Sequence, residues 1–260
     1  TRREFVSTTT RTAAGVLFLG PLERIIGIPA GKKIKLAMIG TGHRGVGMWG
    51  KDIVDRYSDY TEFVGLCDIN PGRMEYAKRH IGTSCPVFTD FEMMVKQTTP
   101  DTVIVTTVDG THNTFITKAL EMGCNVITEK PLTTDELKLK QILDAQKQYK
   151  RKITVAFNYR YSPHRAKIKE LLMQERIGRL TSVDFHWYLD VYHGADYFRR
   201  WHRLRQNSGS LLLHKASHHF DLLNWWIDSD PEIVSAFGGL EFYGKNNSFR
   251  HTHCRPCPHK

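Results

Sequence analysis

At 260 residues and 40% hydrophobic content, the chain is long enough for one large or two ordinary domains with a sizeable core. It has no run of about 18 apolar residues, which excludes a transmembrane span from the reading. Its net charge of +10 rests on the two ends: Thr1 to Lys35 holds seven basic and two acidic residues, and Lys245 to Lys260 four basic residues unopposed. The segment between is nearly neutral, which argues against a basic binding face and against nucleic acid as a partner.

At the start, Thr1-Arg2-Arg3-Glu4-Phe5-Val6 is similar to a twin-arginine export signal, with Ala13 to Leu19 as its apolar stretch. Residues 1–32 are therefore expected to be a leader and the mature protein periplasmic, the alternative being a basic leader on a cytoplasmic protein. Ile28-Pro29-Ala30 lacks the small residue expected two positions before the terminal Ala, so no cleavage site can be read.

From Lys35 onward, short apolar runs alternate with helical stretches. Leu36 to Ile39 reads as a strand buried on both faces, and Gly40, Gly42 and Gly45 follow it in G-x-G-x-x-G spacing, with Thr41, His43 and Arg44 filling the loop. Such a loop turns tightly, lets the backbone approach a pyrophosphate and opens a helix whose free N–H groups face the phosphates. A helix over 45–57 and a strand over 63–67 bring the chain to Asp68. An acidic residue at that distance accepts from the adenosine ribose 2′-hydroxyl and repels a 2′-phosphate, so NAD is expected in preference to NADP.

Helices are predicted over 71–80, 111–122 and 133–149, and strands over 102–106, 125–128 and 153–157. This alternation implies crossover units and a parallel sheet whose ligands lie beyond the carboxyl ends of the strands. Those ends are Gly40, Asp68, Thr107, Glu129 and Asn158. Thr107 and nearby His112 are assigned to the cofactor site. Glu129-Lys130-Pro131 places a charged pair before a rigid residue where a nicotinamide would lie, and Lys130 there can donate to a substrate oxygen.

After Phe157 the pattern changes to a helix over 163–175, an alternating strand over 180–189 and an aromatic, basic loop over 192–205. In the helix that follows, His214, His218 and Asp221 stand at i, i+4 and i+7 and so share one face. Each imidazole is expected to disfavour the other's charge, leaving one neutral near pH 7. Histidines at i and i+4 also suit zinc, but the Glu of H-E-x-x-H is missing and Lys215 stands between them, so no metal is assigned. Of the five cysteines, Cys67 and Cys124 sit in or beside apolar runs and read as buried thiols. Cys254 and Cys257, flanked by His253 and His259, read as loop or the opening half of a metal site.

Together, Gly40-Thr41-Gly42-His43-Arg44-Gly45, Glu129-Lys130-Pro131 and His218-x-x-Asp221 resemble the Gfo/Idh/MocA family, the glucose–fructose oxidoreductase and inositol dehydrogenase group, over roughly residues 33 to 244. The resemblance implies an α/β protein: a Rossmann domain with a doubly wound parallel sheet over 33–157, and a substrate-binding α/β domain with an open mixed sheet over 158–260, which stops short of the family's usual extent. It implies Lys130 as a participant in proton movement, His218 as acid or base, Asp221 as its support or a ligand of sugar hydroxyls, and a homo-oligomer for the full-length form. Three departures stand out. His214 occupies a position where the family commonly has Asp, Lys215 one where it commonly has an apolar residue, and Val108-Asp109 replaces a usual Pro-Asn pair.

Three functions follow from this reading. The first is NAD-dependent hydride transfer from a sugar or cyclitol hydroxyl carbon. The second is glycoside cleavage by oxidation, elimination and return of the hydride, for which His214 and Lys215 would supply an additional base and acid. The third is a non-catalytic NAD-binding sensor, which would need none of Lys130, His218 or Asp221.

Overall fold

The computed structural model describes residues 32–243, together with Ser248 and Pro258. The leader and the Cys254/Cys257 motif lie outside the described residues. Strands β1 (Ile34–Ile39), β2 (Thr61–Cys67), β3 (Val87–Phe88), β4 (Thr102–Val105), β5 (Asn125–Glu129) and β6 (Ile153–Ala156) form one sheet in the order β3-β2-β1-β4-β5-β6. The pairs β1/β2, β2/β3 and β5/β6 are parallel. Between the strands run α1 (Asp52–Tyr57), α2 (Pro71–Ile81), α3 (Phe91–Thr98), α4 (His112–Glu121) and α5 (Glu136–Tyr149), and α6 (Pro163–Met173) and α7 (Ser217–Ile227) follow. This is the doubly wound α/β sheet that the alternation predicts. By its internal contacts the chain divides into two compact units, residues up to Ile104 and residues from Val105.

In the first unit, local chemistry sets the helix ends. Asn70 accepts the Arg73 N–H at the start of α2, Pro71 occupies the first turn, and Gly82 closes the helix at φ 80°. Asp90 caps α3 in the same way through the Met93 N–H. Helix α3 and the short β3 are absent from the sequence reading, although Asp90 followed by Phe91, Met94 and Val95 is a cap with an apolar i, i+3, i+4 stripe. The core is formed by Leu36 to Ile39, Leu66, Met74, Ile81 and Met94, all buried. Burial pushes the Cys67 thiol up to about 12, which makes it inert.

The helix expected over 45–57 is not uniformly α. Residues Gly45–Lys51 form a wider turn of the π type, in which the Asp52 N–H reaches the Gly47 carbonyl. Gly50 is required where this turn meets α2, since a Cβ there would come within 2.5 Å of Ile81 Cδ1.

In the second unit, the buried residues Ile116, Ala119, Leu120, Val126 and Ile142 join α4, β5 and α5. The segment expected as a strand over 180–189 has no regular secondary structure. Phe185 and Trp187 pack on His219 at ring distances of 5.7 and 4.5 Å, but Val183 and Trp187 are exposed as Tyr188 is, so the alternation does not give a buried face. A period of two reports which side chains face inward, whereas a strand also needs a neighbour to satisfy its backbone, and none is present among the described residues. For the same reason the open mixed sheet expected after residue 157 is not formed by the described residues, which contain helices and irregular chain there. All three described cysteines, Cys67, Cys85 and Cys124, are free and buried. No helix of the described residues is long and apolar enough to cross a membrane.

We expect Gly50→Ala to lower stability. Helical preference would favour alanine by about 1 kcal/mol, but overlap with the fully buried Ile81 costs about 1–3 kcal/mol. Urea unfolding should show a lower midpoint at an unchanged slope. A midpoint at or above that of the unmodified chain would mean that Ile81 yields freely.

Candidate active site

The dinucleotide end lies in the first unit. The Gly40 N–H donates to the Cys67 carbonyl at 2.8 Å, tying the loop to the end of β2, and Gly40 takes φ 96°, a conformation only glycine adopts without strain. A Cβ on Gly42 would meet nothing within 4 Å, so open space lies in front of the loop, as close approach of a pyrophosphate requires. His43 and Arg44 are exposed in the opening turn, and Gly45 is buried.

Asp68 at the end of β2 is 6% exposed. Its Oδ2 accepts from the Thr41 N–H at 2.7 Å and the Thr41 hydroxyl at 3.0 Å, and its Oδ1 accepts from the Asn70 N–H at 2.9 Å. A carboxylate has about four lone-pair positions, so three protein donors leave it capacity for a ribose hydroxyl. Asp68 therefore has a task the spacing alone does not reveal, which is to hold the glycine loop in place. These residues fit a dinucleotide: loop backbone for its phosphates and Asp68 for its ribose.

The second unit carries a buried polar chain at the ends of β4 and β5. Lys130 Nζ donates to the His214 carbonyl at 2.8 Å and lies 3.2 Å from His214 Nε2, while His214 Nδ1 lies 2.5 Å from Asp109 Oδ2. Asp109 is 3% exposed. Burial pushes its carboxyl up to about 7 against the opposing pull of His112, Lys130 and His202, and burial followed by the charges of Lys130 and Lys215 pushes His214 down to about 3. The imidazole is thus neutral over the physiological range. Around it stand Trp201, His202 and Tyr197, with ring centroids 5.8, 4.9 and 5.5 Å from that of His214.

This chain explains why the predicted single helix through His214, His218 and Asp221 is broken. Leu211–His214 makes one turn, Lys215 and Ala216 intervene, and α7 begins at Ser217. The His214 carbonyl accepts from Lys130 and from the Ser217 hydroxyl, while the His218 N–H reaches only three residues back, to Lys215. The expectation that the three residues share a face, and that His214 and His218 disfavour each other's charge, is corrected accordingly. The imidazole whose proton affinity His214 lowers is instead His202, which burial and then His214 hold down at about 4.

His218 is buried and stacks on Tyr159 at 3.9 Å and 5°, with the Arg165 guanidinium 4.2 Å from the Tyr159 ring and Lys215 Nζ 3.2 Å from its hydroxyl. Asp221 is bound by Arg160, whose Nε donates to Oδ2 at 2.7 Å and whose second nitrogen donates to Oδ1. That bidentate pair replaces the expected contact with His218. Asp221 also lines a cleft of about 570 Å³ with Thr134, Ser210, Ser217 and Asn224.

His112, assigned to the cofactor from the sequence, has another task. Its ring is 0% exposed, with Nδ1 2.9 Å from the Pro131 carbonyl and Nε2 3.2 Å from that of Thr107. It clamps the ends of β4 and β5, and so positions Lys130, without presenting an edge to a ligand. Glu129 is buried and its carboxylate accepts from the Lys130 N–H at 3.3 Å; the Thr107 hydroxyl accepts from that of Thr111 at 2.9 Å. Asp109 is the residue the sequence reading passed over as a site member. Its signal was the Val108-Asp109 departure, whose partner, 105 positions away, only the fold supplies.

A parallel sheet whose first strand runs into a glycine loop, with a buried carboxylate ending the second, defines a Rossmann-type nucleotide-binding fold. Comparison with known proteins agrees. Residues 34–157 match the model of an oxidoreductase family with an NAD-binding Rossmann fold, and residues 169–254 match that family's C-terminal α/β domain. The chain belongs to the Gfo/Idh/MocA oxidoreductase family. It is 43% identical over 218 residues to YteT of Bacillus subtilis, a protein whose own oxidoreductase label is provisional, covering 82% of this chain and 51% of YteT. To the inositol 2-dehydrogenase/D-chiro-inositol 3-dehydrogenase of Lactiplantibacillus plantarum it is 23% identical, covering 74% of this chain and 53% of the enzyme.

Among solved structures, the WlbA dehydrogenase of Chromobacterium violaceum with NADH and UDP-GlcNAcA superposes with a TM-score of 0.67 at 26% identity, covering 76% of this chain and 56% of that one. The scyllo-inositol dehydrogenase of Lactobacillus casei, solved with NAD(H) and scyllo-inositol, gives 0.64 at 25% identity, covering 76% and 57%. The chain spans about half the length of the curated relatives it matches.

Asp68→Ala should weaken NAD binding by roughly tenfold or more, the value of a lost hydrogen bond to a charged group of about 1.5–3 kcal/mol, and narrow the preference over NADP. Thr41→Val, which keeps the carboxylate, should weaken both nucleotides alike. Calorimetric titration of the two variants with both nucleotides checks this, and an unchanged preference in Asp68→Ala removes Asp68 from the ribose.

Proposed function

We propose that this protein is an NAD-dependent oxidoreductase that moves hydride between a sugar or cyclitol hydroxyl carbon and nicotinamide, with Asp68 favouring NAD over NADP. One observation carries the reading: Lys130, at the end of β5, is held through both its carbonyl bond and its imidazole contact with His214 inside a buried polar cluster. A surface lysine after a strand would have no such support. The bound nicotinamide supplies the hydride acceptor, and the protein must supply the rest.

Lys130 orients the reacting hydroxyl and takes up its proton. The polyol nature of the substrate is supported by the relatives that act on inositols and by the cleft lined with Ser210, Ser217, Asp221 and Asn224, whose hydroxyl, amide and carboxylate groups suit sugar hydroxyls.

A second reading, glycoside cleavage with the hydride returned, is favoured by one feature. Lys215, Tyr159 and His218 form another proton-bearing group, distinct from Lys130, His214 and Asp109. Simple oxidation needs one acid/base centre, whereas oxidation followed by elimination needs two. We further propose export by the twin-arginine route and assembly as a homo-oligomer in the full-length protein.

Lys130→Met keeps most of the stem while deleting the charge. Folding and NAD affinity should survive, and turnover should fall by about 10²–10⁴, the usual share of general acid–base catalysis. NADH absorbance across a panel of sugars and cyclitols reads the first activity, and aglycone release without net NADH reads the second. A variant that turns over at the unmodified rate would remove Lys130 from the chemistry.

A further inference from the structure

We infer that Asp109, His214 and Lys130 form a proton relay in which the substrate's hydroxyl proton ends on Asp109, an inference that rests on the dehydrogenase reading above. The geometry is a continuous line. Lys130 Nζ faces His214 Nε2 at 3.2 Å, and the opposite ring nitrogen faces Asp109 Oδ2 at 2.5 Å. An imidazole bridging a donor on one nitrogen and an acceptor on the other can exchange one proton for the other without ever becoming charged. Here the ring is only 14% exposed and the carboxylate 5%, so solvent does not compete for either.

The step balances. Lys130 passes a proton to His214 Nε2, His214 Nδ1 passes its own to Asp109 Oδ2, and the amine so formed takes the hydroxyl proton. The electron pair of the C–H bond leaves with the hydride, and that of the O–H bond becomes the second bond of the carbonyl. Lys130 is again an ammonium, His214 has changed tautomer, and Asp109 has gone from carboxylate to acid. The reverse sequence returns a proton to a carbonyl during reduction.

Two features support this over a merely structural ion pair. First, a structural pair is best served by a charged imidazolium, but burial and the adjacent Lys130 and Lys215 keep His214 neutral. Second, Asp109 is held at about 7, where it can both accept and release a proton at physiological pH. The groups facing Asp109 are His214, His202, Lys130, His112 and Tyr197, and those facing His214 include also Lys215, Glu129 and His193. His112, Lys130 and His202 pull Asp109 toward the anion, and burial outweighs them.

Because the carboxylate is the accepting form, oxidation should rise with pH through about 7 in the unmodified protein. Asp109→Asn cannot accept the proton: its rate should drop by roughly 10²-fold and the limb near 7 should vanish, with NAD affinity unchanged. Asp109→Glu should restore part of the rate together with the limb. An Asn variant at the unmodified rate overturns the relay. So does one that is slowed equally at every pH with the limb in place, since that is the mark of a structural role.

A nitrogen-15 NMR titration of the histidines in the unmodified chain, with His214 assigned by its loss in His214→Gln, keeps the relay testable if the Asn variant does not fold or no polyol is turned over. The second case would sink the dehydrogenase reading by itself. The relay requires His214 to stay neutral from acid to alkaline pH while its proton shifts from Nε2 to Nδ1 as Asp109 ionises near 7. A ring that takes up charge near its ordinary value would contradict it.

Discussion

A carboxylate removed from water must be answered by its surroundings or give up its charge, and at Asp109 both happen. The residue sits in the short turn after β4, 3% exposed, and lies 2.5 Å from an imidazole that is itself kept neutral. Much of the second unit is arranged around that requirement. The His214 side chain is committed to Asp109 and its carbonyl to Lys130, so the helix through His214 breaks and restarts at Ser217. Gly110 follows from the same packing, because a Cβ there would collide with the Gln206 carbonyl of the segment that carries Trp201 and His202. The clamp of His112 on the Thr107 and Pro131 carbonyls holds the two strand ends from which Asp109 and Lys130 project.

What could be read from the sequence was what is local or periodic. Five of the six strands, the glycine loop, Asp68 and Glu129-Lys130-Pro131 follow from apolar runs, spacing and turn residues acting within a few positions. The missed α3 had a readable cap at Asp90 and was overlooked because the apolar stripe is only eight residues long. The strand expected over 180–189 failed in a different way: Phe185 and Trp187 do pack on His219, but no period can report whether another strand lies alongside. His214, His218 and Asp221 failed for a third reason. Helical spacing assumes that each carbonyl serves the helix, and Lys130 claims that of His214. Asp109 was legible only as a departure from a family pattern, because its meaning depends on a residue 105 positions later.

The same site clarifies how a family position can change residue type while keeping a proton path. Where a carboxylate is common, this chain has an imidazole, and an additional carboxylate appears behind it at Asp109. An imidazole beside Lys130 could remain neutral without that carboxylate, but it would then have no buried group to which its second proton could pass. The second cluster of Tyr159, Lys215 and His218, with Arg165 against the tyrosine ring, gives the protein another set of donors apart from Lys130, His214 and Asp109.

Transfer of hydride from a hydroxyl-bearing carbon is the claim on which the rest stands, and isotope transfer reaches it most directly. The protein with NAD would be mixed with sugars and cyclitols bearing deuterium on the hydroxyl carbons, and the cofactor recovered after a single turnover and analysed by mass spectrometry. The account predicts that deuterium from one such carbon appears in the nicotinamide ring, whether the hydride is then released or returned. Product formed with all the deuterium still on the sugar, and none at any time in the cofactor, would contradict it.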